Sequence, residues 1–412
     1  MAEPSSRNLR LRLIRRHAVA VALVCAPIAL RPVHAQNGNT PAGWASFTRL
    51  LNAYADSDRV VGTSAVVMRD GKILARHEYG FADKGAGKRV DDRSIFHWGS
   101  ITKTLTAISI MQLRDRGLLS LDDKVTRWVP ELREIHDPYG MIDSITVRML
   151  LSHSAGFQNP TWPWGNGEPW EPFEPTTWNQ LVAMMPYEQL LFRPGSKYSY
   201  SNPGFIYLAR IIEKLTGDPW QSYVQKNILS PLGLDRSYFG GTPYYLAADR
   251  SHNYYVRRDS VTRRDSVIDN GADFDPGITI PNGGWNAPLD DLATYLAFLT
   301  NAPGGKLPPS RYDVVLKRSS LEEMWKPVVA TNGNGYGSEN DWMGLSFFGM
   351  QRDGVRVLGH TGSQAGFRAF MYFDPVKRTA VIVAFNATAA RSTPGARQAQ
   401  QTMTTAAIAL LR

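Results

Sequence analysis

The sequence predicts an α+β fold in which both ends of the chain contribute strands to one antiparallel sheet. Alternating or apolar runs of strand length lie at residues 60–79 and again at 344–386. Helical periodicity dominates the interval between them. We therefore expect helices to flank the sheet, an α/β lobe of about residues 45–110 and 285–412, and an inserted, mainly helical lobe of about 111–284. The cleft between the lobes is the expected place for a site.

Residues 1–35 have the pattern of a secretory signal peptide. An arginine-rich start precedes the apolar run 18–30, and Val33-His34-Ala35 supplies a small-residue cleavage site. The apolar run is short for a membrane span, and the alternative is an uncleaved N-terminal anchor. We expect a periplasmic or secreted mature domain, residues 36–412, with no stable membrane span.

Composition excludes several classes of function. The 412 residues carry a net charge of +9, but six arginines and one glutamate in residues 1–35 account for +5 of it, leaving +4. That charge is too small and too scattered to indicate a nucleic-acid partner. The single cysteine, Cys25, lies inside the predicted signal. The mature chain is therefore expected to have no disulfide, no thiolate nucleophile and no cysteine metal site.

Local patterns predict the elements of the first half of the chain. A helix is expected at 44–55, and the runs 60–68 and 73–79 flank an Asp-Gly pair, one of the strongest hairpin-turn signals. A second helix begins near Ser100, continues with apolar residues at helical spacing, and ends at Gly117.

A loop rich in tryptophan and proline follows at residues 159–178. It holds Trp162, Trp164, Trp170 and Trp178 among five prolines, so neither a regular helix nor a central strand fits it. Two interpretations stay open: the loop packs its tryptophans against the body of the protein, or it forms a lid over the substrate. The second would suit a bulky apolar acyl or alcohol group.

The second half of the chain returns from helices to strands. An amphipathic helix is expected at 205–215, ending at Gly217, and an exposed hairpin with solvated charges at 252–273. The remaining predicted elements are a helix at 289–299, strands at 344–350, 355–358, 366–373 and 379–386, and a closing helix at 399–411.

Ser100-Ile101-Thr102-Lys103 is the first candidate for chemistry. A serine in the first turn of a buried helix shares a face with a lysine three residues later. A desolvated lysine shifts toward the neutral amine and can take the serine proton. Taken alone, the pattern is better explained by a helix N-cap serine followed by a solvated lysine.

Two further motifs occur in order along the chain. Tyr200-Ser201-Asn202 precedes the amphipathic helix, and His360-Thr361-Gly362-Ser363 follows a short apolar strand. With Ser-x-x-Lys, they resemble the serine β-lactamase-like superfamily of class C β-lactamases, DD-peptidases, D-aminopeptidases and related esterases. The phrases at 150–156, 194–202 and 282–284 are also similar, and the resemblance covers nearly all of residues 45–412.

The resemblance implies a β-lactamase/transpeptidase-like fold and a role for each motif residue. Ser100 would attack a carbonyl and form an acyl-enzyme. Lys103 would accept or relay its proton, and Tyr200 would act as partner base and later as acid, which requires nearby cations such as Lys103 to lower its pKa.

The remaining motif residues would bind the substrate. Asn202 would hydrogen-bond the lysine and the substrate amide, and the N–H groups of Ser100 and Ser363 would form the oxyanion hole. His360, Thr361, Gly362 and Ser363 would line the substrate site. Each of these residues also has an ordinary structural explanation when taken singly.

One departure bears on the substrate. His360 stands where class C β-lactamases carry a lysine, and a histidine is often neutral at pH 7. A fixed positive site for a substrate carboxylate is therefore weakened, which favours a peptidase or esterase acting on a small-molecule or peptide amide or ester. The alternatives are a true class C-like β-lactamase and a penicillin-binding sensor that acylates without turnover.

No metal or cofactor is expected. The histidines His97, His136, His153 and His360 are scattered without metal-ligand spacing, and no dinucleotide or phosphate fingerprint follows a predicted strand. We expect His153, within the phrase at 150–156, to have a structural role.

Overall fold

The computed structural model of the chain describes residues 40–158, 161–162, 174–259, 261–262, 264–333, 341–352, 354–388 and 396–412. The predicted signal at 1–35 lies outside the described residues, as do Trp164 and Trp170 of the tryptophan loop.

Helices cover both faces of a large sheet. The α-helices are α1 Trp44–Ser57, α2 Lys103–Asp115, α3 Val147–Leu151, α4 Trp178–Met184, α5 Pro203–Thr216, α6 Trp220–Val224, α7 Ser230–Leu232, α8 Ile280–Gly283, α9 Leu289–Leu299, α10 Arg318–Met324 and α11 Ala396–Ala409. Short 3-10 turns join several of them, and the turn Gly99–Thr102 leads directly into α2.

The strands form one large and two small sheets. They are β1 Gly62–Arg69, β2 Lys72–Asp83, β3 Lys88–Arg89, β4 Ile95–His97, β5 Tyr238–Phe239, β6 Tyr254–Arg258, β7 Asp265–Asp269, β8 Trp285–Pro288, β9 Val329–Ala330, β10 Trp342–Met343, β11 Phe348–Arg352, β12 Val355–Gln364, β13 Phe367–Asp374, β14 Thr379–Phe385 and β15 Ala387–Thr388.

The large sheet joins the two ends of the chain. Its nine strands run in the order β3-β2-β1-β14-β13-β12-β11-β10-β9, and every pair in it is antiparallel. β1 from the first part pairs with β14 from the last, with Thr63 opposite Phe385. The prediction of an α+β fold with one sheet from both termini is confirmed, while the lobe boundaries stay a prediction.

The β1–β2 hairpin follows from its turn residues. Asp70 and Gly71 have φ of +50° and +81°. Two successive positive φ angles define a type I′ turn, whose twist matches that of the flanking strands. Asp-Gly therefore predicted this connection correctly.

Two cores lie on opposite faces of the sheet because successive strand residues point to opposite sides. In β1, Ala65 and Val67 belong to the core beneath α1 and α11, whereas Val66 and Met68 belong to the core that contains α2, α5 and α9. β14 is buried along its whole length, which explains its uninterrupted apolar sequence.

Two elements differ from the prediction in ways that bear on the site. β12 extends to Gln364, so the histidine motif lies on a strand rather than after one. The 252–273 hairpin is formed by β6 and β7, but Tyr254 and Val256 are buried because β6 also pairs with β15. Only one side of that hairpin therefore faces solvent.

Candidate active site

Ser100 and Lys103 lie on consecutive turns at the start of α2. Ser100 belongs to the 3-10 turn, and Lys103 is the first residue of the α-helix. In a 3-10 turn, residues three apart are eclipsed, which brings the two side chains together. Lys103 Nζ donates to Ser100 Oγ at 3.0 Å and to the carbonyl oxygen of Asn282 at 2.8 Å.

Lys103 is completely buried, with 0% of its surface exposed. Its Nζ lies 5.0 Å from the ring centroid of Tyr200 and 5.7 Å from that of Phe205. No carboxylate in the described part of the chain forms an ion pair with it. Burial therefore holds the pKa of Lys103 well below its ordinary value, which favours the neutral amine.

Tyr200 reaches the same serine from the segment before α5. Its ring lies beside Lys103 Nζ, and desolvation raises the pKa of Tyr200 above its ordinary value, an effect that the neighbouring Ser100 hydroxyl only partly offsets. The sequence-based expectation that Lys103 lowers this pKa is not met, because burial also disfavours the positive charge on Lys103. At neutral pH, Tyr200 is therefore a protonated donor.

Asn202 joins this group through Asn282. It occupies the N-cap position of α5, but its side chain makes no capping hydrogen bond. Its Oδ1 accepts from Asn282 Nδ2 at 3.4 Å, and the carbonyl of the same Asn282 accepts from Lys103. α8 thus connects the lysine to the Tyr200 segment.

The last motif forms the wall opposite Ser100. β12 pairs with β13 through Gln364, whereas its pairing with β11 stops at Gly359. The free edge of residues 360–364 packs against the 3-10 turn instead. A Cβ on Gly362 would lie 1.9 Å from the Trp98 oxygen, and one on Gly99 would lie 2.6 Å from the Ser363 nitrogen. Only glycine permits this approach of the two backbones.

His360 lies in the wall as a neutral side chain. It is buried, its Nδ1 donates to the Thr361 oxygen at 2.5 Å, and its ring contacts Phe348 with centroids 5.3 Å apart. Burial and nearby Lys103 lower the pKa of His360 to about 3. Thr361 is half-buried and Ser363 is exposed. The histidine therefore supplies no positive charge to the site at neutral pH.

Comparison with known proteins identifies the family of the chain. Residues 47–402 match the family model described as Beta-lactamase. The chain belongs to the β-lactamase family. The fold is accordingly the β-lactamase/transpeptidase-like one that the motifs implied, and proteins of this fold family are serine hydrolases.

Relatives of the β-lactamase family differ in their printed activities. Penicillin-binding protein 4* of Bacillus subtilis is 31% identical over 74% of this chain and 64% of its own length. Esterase EstB of Burkholderia gladioli is 31% identical over 46% of this chain and 51% of its own. The chain thus spans less than two thirds of these curated relatives.

Solved structures of the family share the architecture. The octameric penicillin-binding protein homologue from Pyrococcus abyssi has a TM-score of 0.70 and 25% identity, covering 88% of this chain and 77% of that one. A D-stereospecific amidohydrolase from a Streptomyces species has a TM-score of 0.66 and 27% identity, covering 83% and 94%. A class C β-lactamase has a TM-score of 0.68 at 20% identity, covering 89% and 95%.

In this β-lactamase family member, all eight predicted site residues lie in one region. Further residues, which the sequence analysis did not single out, lie there as well. Asn282 supplies the carbonyl for Lys103, and Phe205 packs against its Nζ. Gln364 is held by His97, 3.0 Å from its Oε1, and by Thr279, 2.9 Å from its Nε2. Asn282 was within a quoted family phrase, whereas nothing local marked Phe205 or Gln364.

One group among the described residues has the donors for a metal ion. Asp83, His252 and Asp269 place their ligand atoms within 4.8 Å of one another, near β6 and β7. His252 already contacts a carboxylate through each ring nitrogen, at 3.5 Å and 3.0 Å. None of the three contacts Ser100, Lys103 or Tyr200, so this group is separate from the candidate site. In the same described residues, no helix is both long and apolar enough to cross a membrane.

Proposed function

We propose that this chain cleaves an ester or amide bond through an acyl-enzyme on Ser100. The observation that carries the proposal is the convergence of Lys103 and Tyr200 on one serine hydroxyl. Lys103 is fully buried and Tyr200 is half-buried, so the lysine favours its neutral form and the tyrosine keeps its proton. A base and a proton donor on one nucleophile are what acyl transfer requires.

The proposed reaction follows from these protonation states. Ser100 Oγ attacks the substrate carbonyl carbon while its proton passes to Lys103, directly or through Tyr200. The N–H groups of Ser100 and Ser363 stabilise the oxyanion, since the glycine contacts bring the two backbones together. The carbon–leaving-group bond then breaks, the leaving group takes a proton from Tyr200, and Tyr200 regains a proton from Lys103. Water then attacks the acyl carbon, its proton passes through the same two groups to Ser100 Oγ, and the acid is released.

The proposed substrate is neutral at the position next to β12. A neutral His360 offers a carboxylate no ionic partner there. This favours an ester or an amide without that carboxylate, such as a substrate of an esterase or D-amino-acid peptidase, over a penicillin. The esterase and amidohydrolase relatives support the same choice. A class C-like β-lactamase and a non-turnover sensor are the alternatives.

Secretion is part of the proposal. It is supported by the pattern of residues 1–35: basic start, short apolar run and small-residue cleavage site. Sequencing the N-terminus of the protein recovered from the periplasm or medium tests it, with Gln36 as the expected first residue.

Intact-protein mass and turnover test the enzymatic proposal together. The full chain is mixed with p-nitrophenyl acetate, D-alanine p-nitroanilide and benzylpenicillin. We expect turnover of the ester or the anilide, absent in Ser100→Ala. Ser109→Ala is the matched control, because Ser109 lies on the same helix and only donates to the Leu105 carbonyl.

The three substrates separate the alternatives. A stable penicilloyl adduct without turnover of any substrate would indicate the sensor, and rapid penicillin consumption would indicate the β-lactamase. Undiminished hydrolysis by Ser100→Ala would contradict the nucleophile.

A further inference from the structure

His153 is a buried histidine for which the proposed reaction has no role, although it lies directly behind Tyr200. It is 1% exposed. Its ring stacks on that of Tyr200, with centroids 4.3 Å apart and planes 26° apart. Phe205 and Tyr198 contact other sides of the ring, at 5.1 and 6.1 Å between centroids. Any movement of His153 would therefore reach the Tyr200 ring.

His153 also holds the backbone on both sides of Tyr200. The Ser199 N–H donates to the His153 carbonyl oxygen at 2.8 Å, and the Ser201 N–H donates to His153 Nδ1 at 3.0 Å. A backbone N–H can only donate, so Nδ1 carries a lone pair and the neutral ring has its proton on Nε2. His153 thus accepts hydrogen bonds from the residues on both sides of Tyr200 and fixes the backbone of this segment.

The backbone of His153 is strained. It follows α3 with φ of +55°, a left-handed conformation that glycine adopts freely at helix ends. A residue with a Cβ is disfavoured there by a steric clash with the following carbonyl oxygen. Glycine would relax the chain at this position, so the strain is consistent with a requirement for the imidazole.

The surroundings keep the ring neutral. Burial is the main cause, and nearby Lys103 and His360 add to it, so the pKa of His153 lies well below its ordinary range. A positive charge would place a proton on Nδ1 and break the bond from Ser201. The acceptor is thus available throughout the neutral pH range.

We infer that His153 is a positioning residue that keeps the Tyr200 hydroxyl on Ser100, by accepting the Ser201 N–H and stacking on the Tyr200 ring. The inference rests on the proposed function, in which Tyr200 exchanges a proton with Ser100. A displacement of 1 Å in a reacting group can lower a rate about 10²-fold. Loss of His153 should lower kcat rather than raise KM, because the displaced Tyr200 hydroxyl is the group that transfers the proton.

Two substitutions test separately the two roles of His153, as a hydrogen-bond acceptor and as a ring stacked on Tyr200. His153→Asn places an amide oxygen near the position of Nδ1 and suits the left-handed backbone. His153→Phe keeps an aromatic ring against Tyr200 but removes the acceptor. For p-nitrophenyl acetate we expect His153→Phe to lower kcat about 10²-fold with KM within about 3-fold. His153→Asn should recover at least tenfold of that loss. Equal losses in both variants would overturn the role of the acceptor.

A double-mutant cycle with Tyr200→Phe tests whether His153 acts through Tyr200. We expect His153→Phe to reduce kcat no more than about 3-fold when Tyr200 is already phenylalanine. Multiplicative losses would overturn the inference while leaving the proposed function intact. Full activity in Tyr200→Phe alone would instead contradict the proposed role of Tyr200, so the two failures are distinguishable.

The tautomer can be measured without any substitution, which covers the case in which His153→Phe does not fold. Nitrogen-15 NMR of the histidine-labelled full chain at pH 7 should show the His153 ring neutral, protonated at Nε2 and with Nδ1 as an acceptor. A ring protonated at Nδ1 would overturn the inference.

Discussion

Lys103 in the candidate site and Arg250, which packs against Phe367 of β13, are both buried basic residues, but their surroundings differ. Arg250 is 4% exposed; its Nε donates to the Ala272 oxygen at 3.0 Å and lies 3.7 Å from an Asp273 carboxylate oxygen. Its guanidinium also lies over the Phe367 ring, 4.7 Å from the centroid. Lys103 has a hydroxyl, one carbonyl and two rings, with no carboxylate among the described residues in ion-pair contact.

The difference shows how a protein makes a base from a lysine. A guanidinium keeps its proton, so burying it requires a carboxylate, carbonyls or a ring to replace water. An ammonium buried without a carboxylate loses its proton instead, and the amine becomes available to Ser100. Among the described residues, none places a negative charge in ion-pair contact with Lys103, and this is part of the proposed chemistry.

The largest expected effect comes from Lys103→Arg. A guanidinium at this position cannot become neutral, so kcat for ester hydrolysis should fall about 10³-fold or more. Arg250→Lys is the matched exchange in the other direction and should retain kcat within about 3-fold, because it lies outside the reacting groups. Activity of Lys103→Arg within tenfold of the wild type would show that a neutral amine is not needed.

Replacing Lys103 and Arg250 by methionine should change the free energy of unfolding in opposite directions. Lys103→Met removes a group that is buried at a cost, so the free energy of unfolding should rise by about 1 kcal/mol at pH 7. Arg250→Met removes the donor to the Ala272 carbonyl, while Asp273 keeps its hydrogen bonds from Thr242, so it should lower the free energy of unfolding by about 1 kcal/mol. Urea unfolding measures both. A lower free energy of unfolding in both variants would mean that Lys103 stabilises the fold as Arg250 does, which would contradict the contrast.

The pH dependence of stability sharpens the same contrast. The pKa of Lys103 is lowered in the folded state, so between the folded and unfolded pKa values the native state binds fewer protons. The free energy of unfolding therefore rises as the pH increases from the folded to the unfolded pKa of Lys103, and it falls as the pH decreases. Lys103→Met should lack this contribution, which repeating the urea titrations at pH 7 and 9 would detect.

The smallest expected effect comes from adding a carboxylate next to Lys103. Asn282→Asp puts a carboxylate on the residue whose carbonyl already binds Lys103. A nearby negative charge favours the ammonium, so the pKa of Lys103 should rise and the acid limb of the kcat/KM profile should move up by about one pH unit. Asn227→Asp adds the same charge near Gln112, far along α2, and should leave the limb in place. An unshifted limb in Asn282→Asp would contradict Lys103 as the titrating base.

Sequence patterns were reliable where the physics is local. Asp70-Gly71 predicted a turn that the backbone angles confirm, and Gly217 ends α5 in the left-handed conformation, as expected. The spacing of Ser100 and Lys103 also predicted their contact, because three residues make one helical turn. The length of β12 was missed because its apolar pattern stops at Leu358, and packing against the 3-10 turn carries the strand further.

By itself, the sequence determined the α+β class, the family motifs and the residue types present in the candidate site. Only the tertiary structure decided their protonation, and there the expected direction for Tyr200 was wrong. Desolvation depends on every group packed around a side chain, and those groups come from distant parts of the chain: Asn282 for Lys103, His153 for Tyr200. Motif spacing describes which groups can meet, whereas burial sets which of them carry a proton.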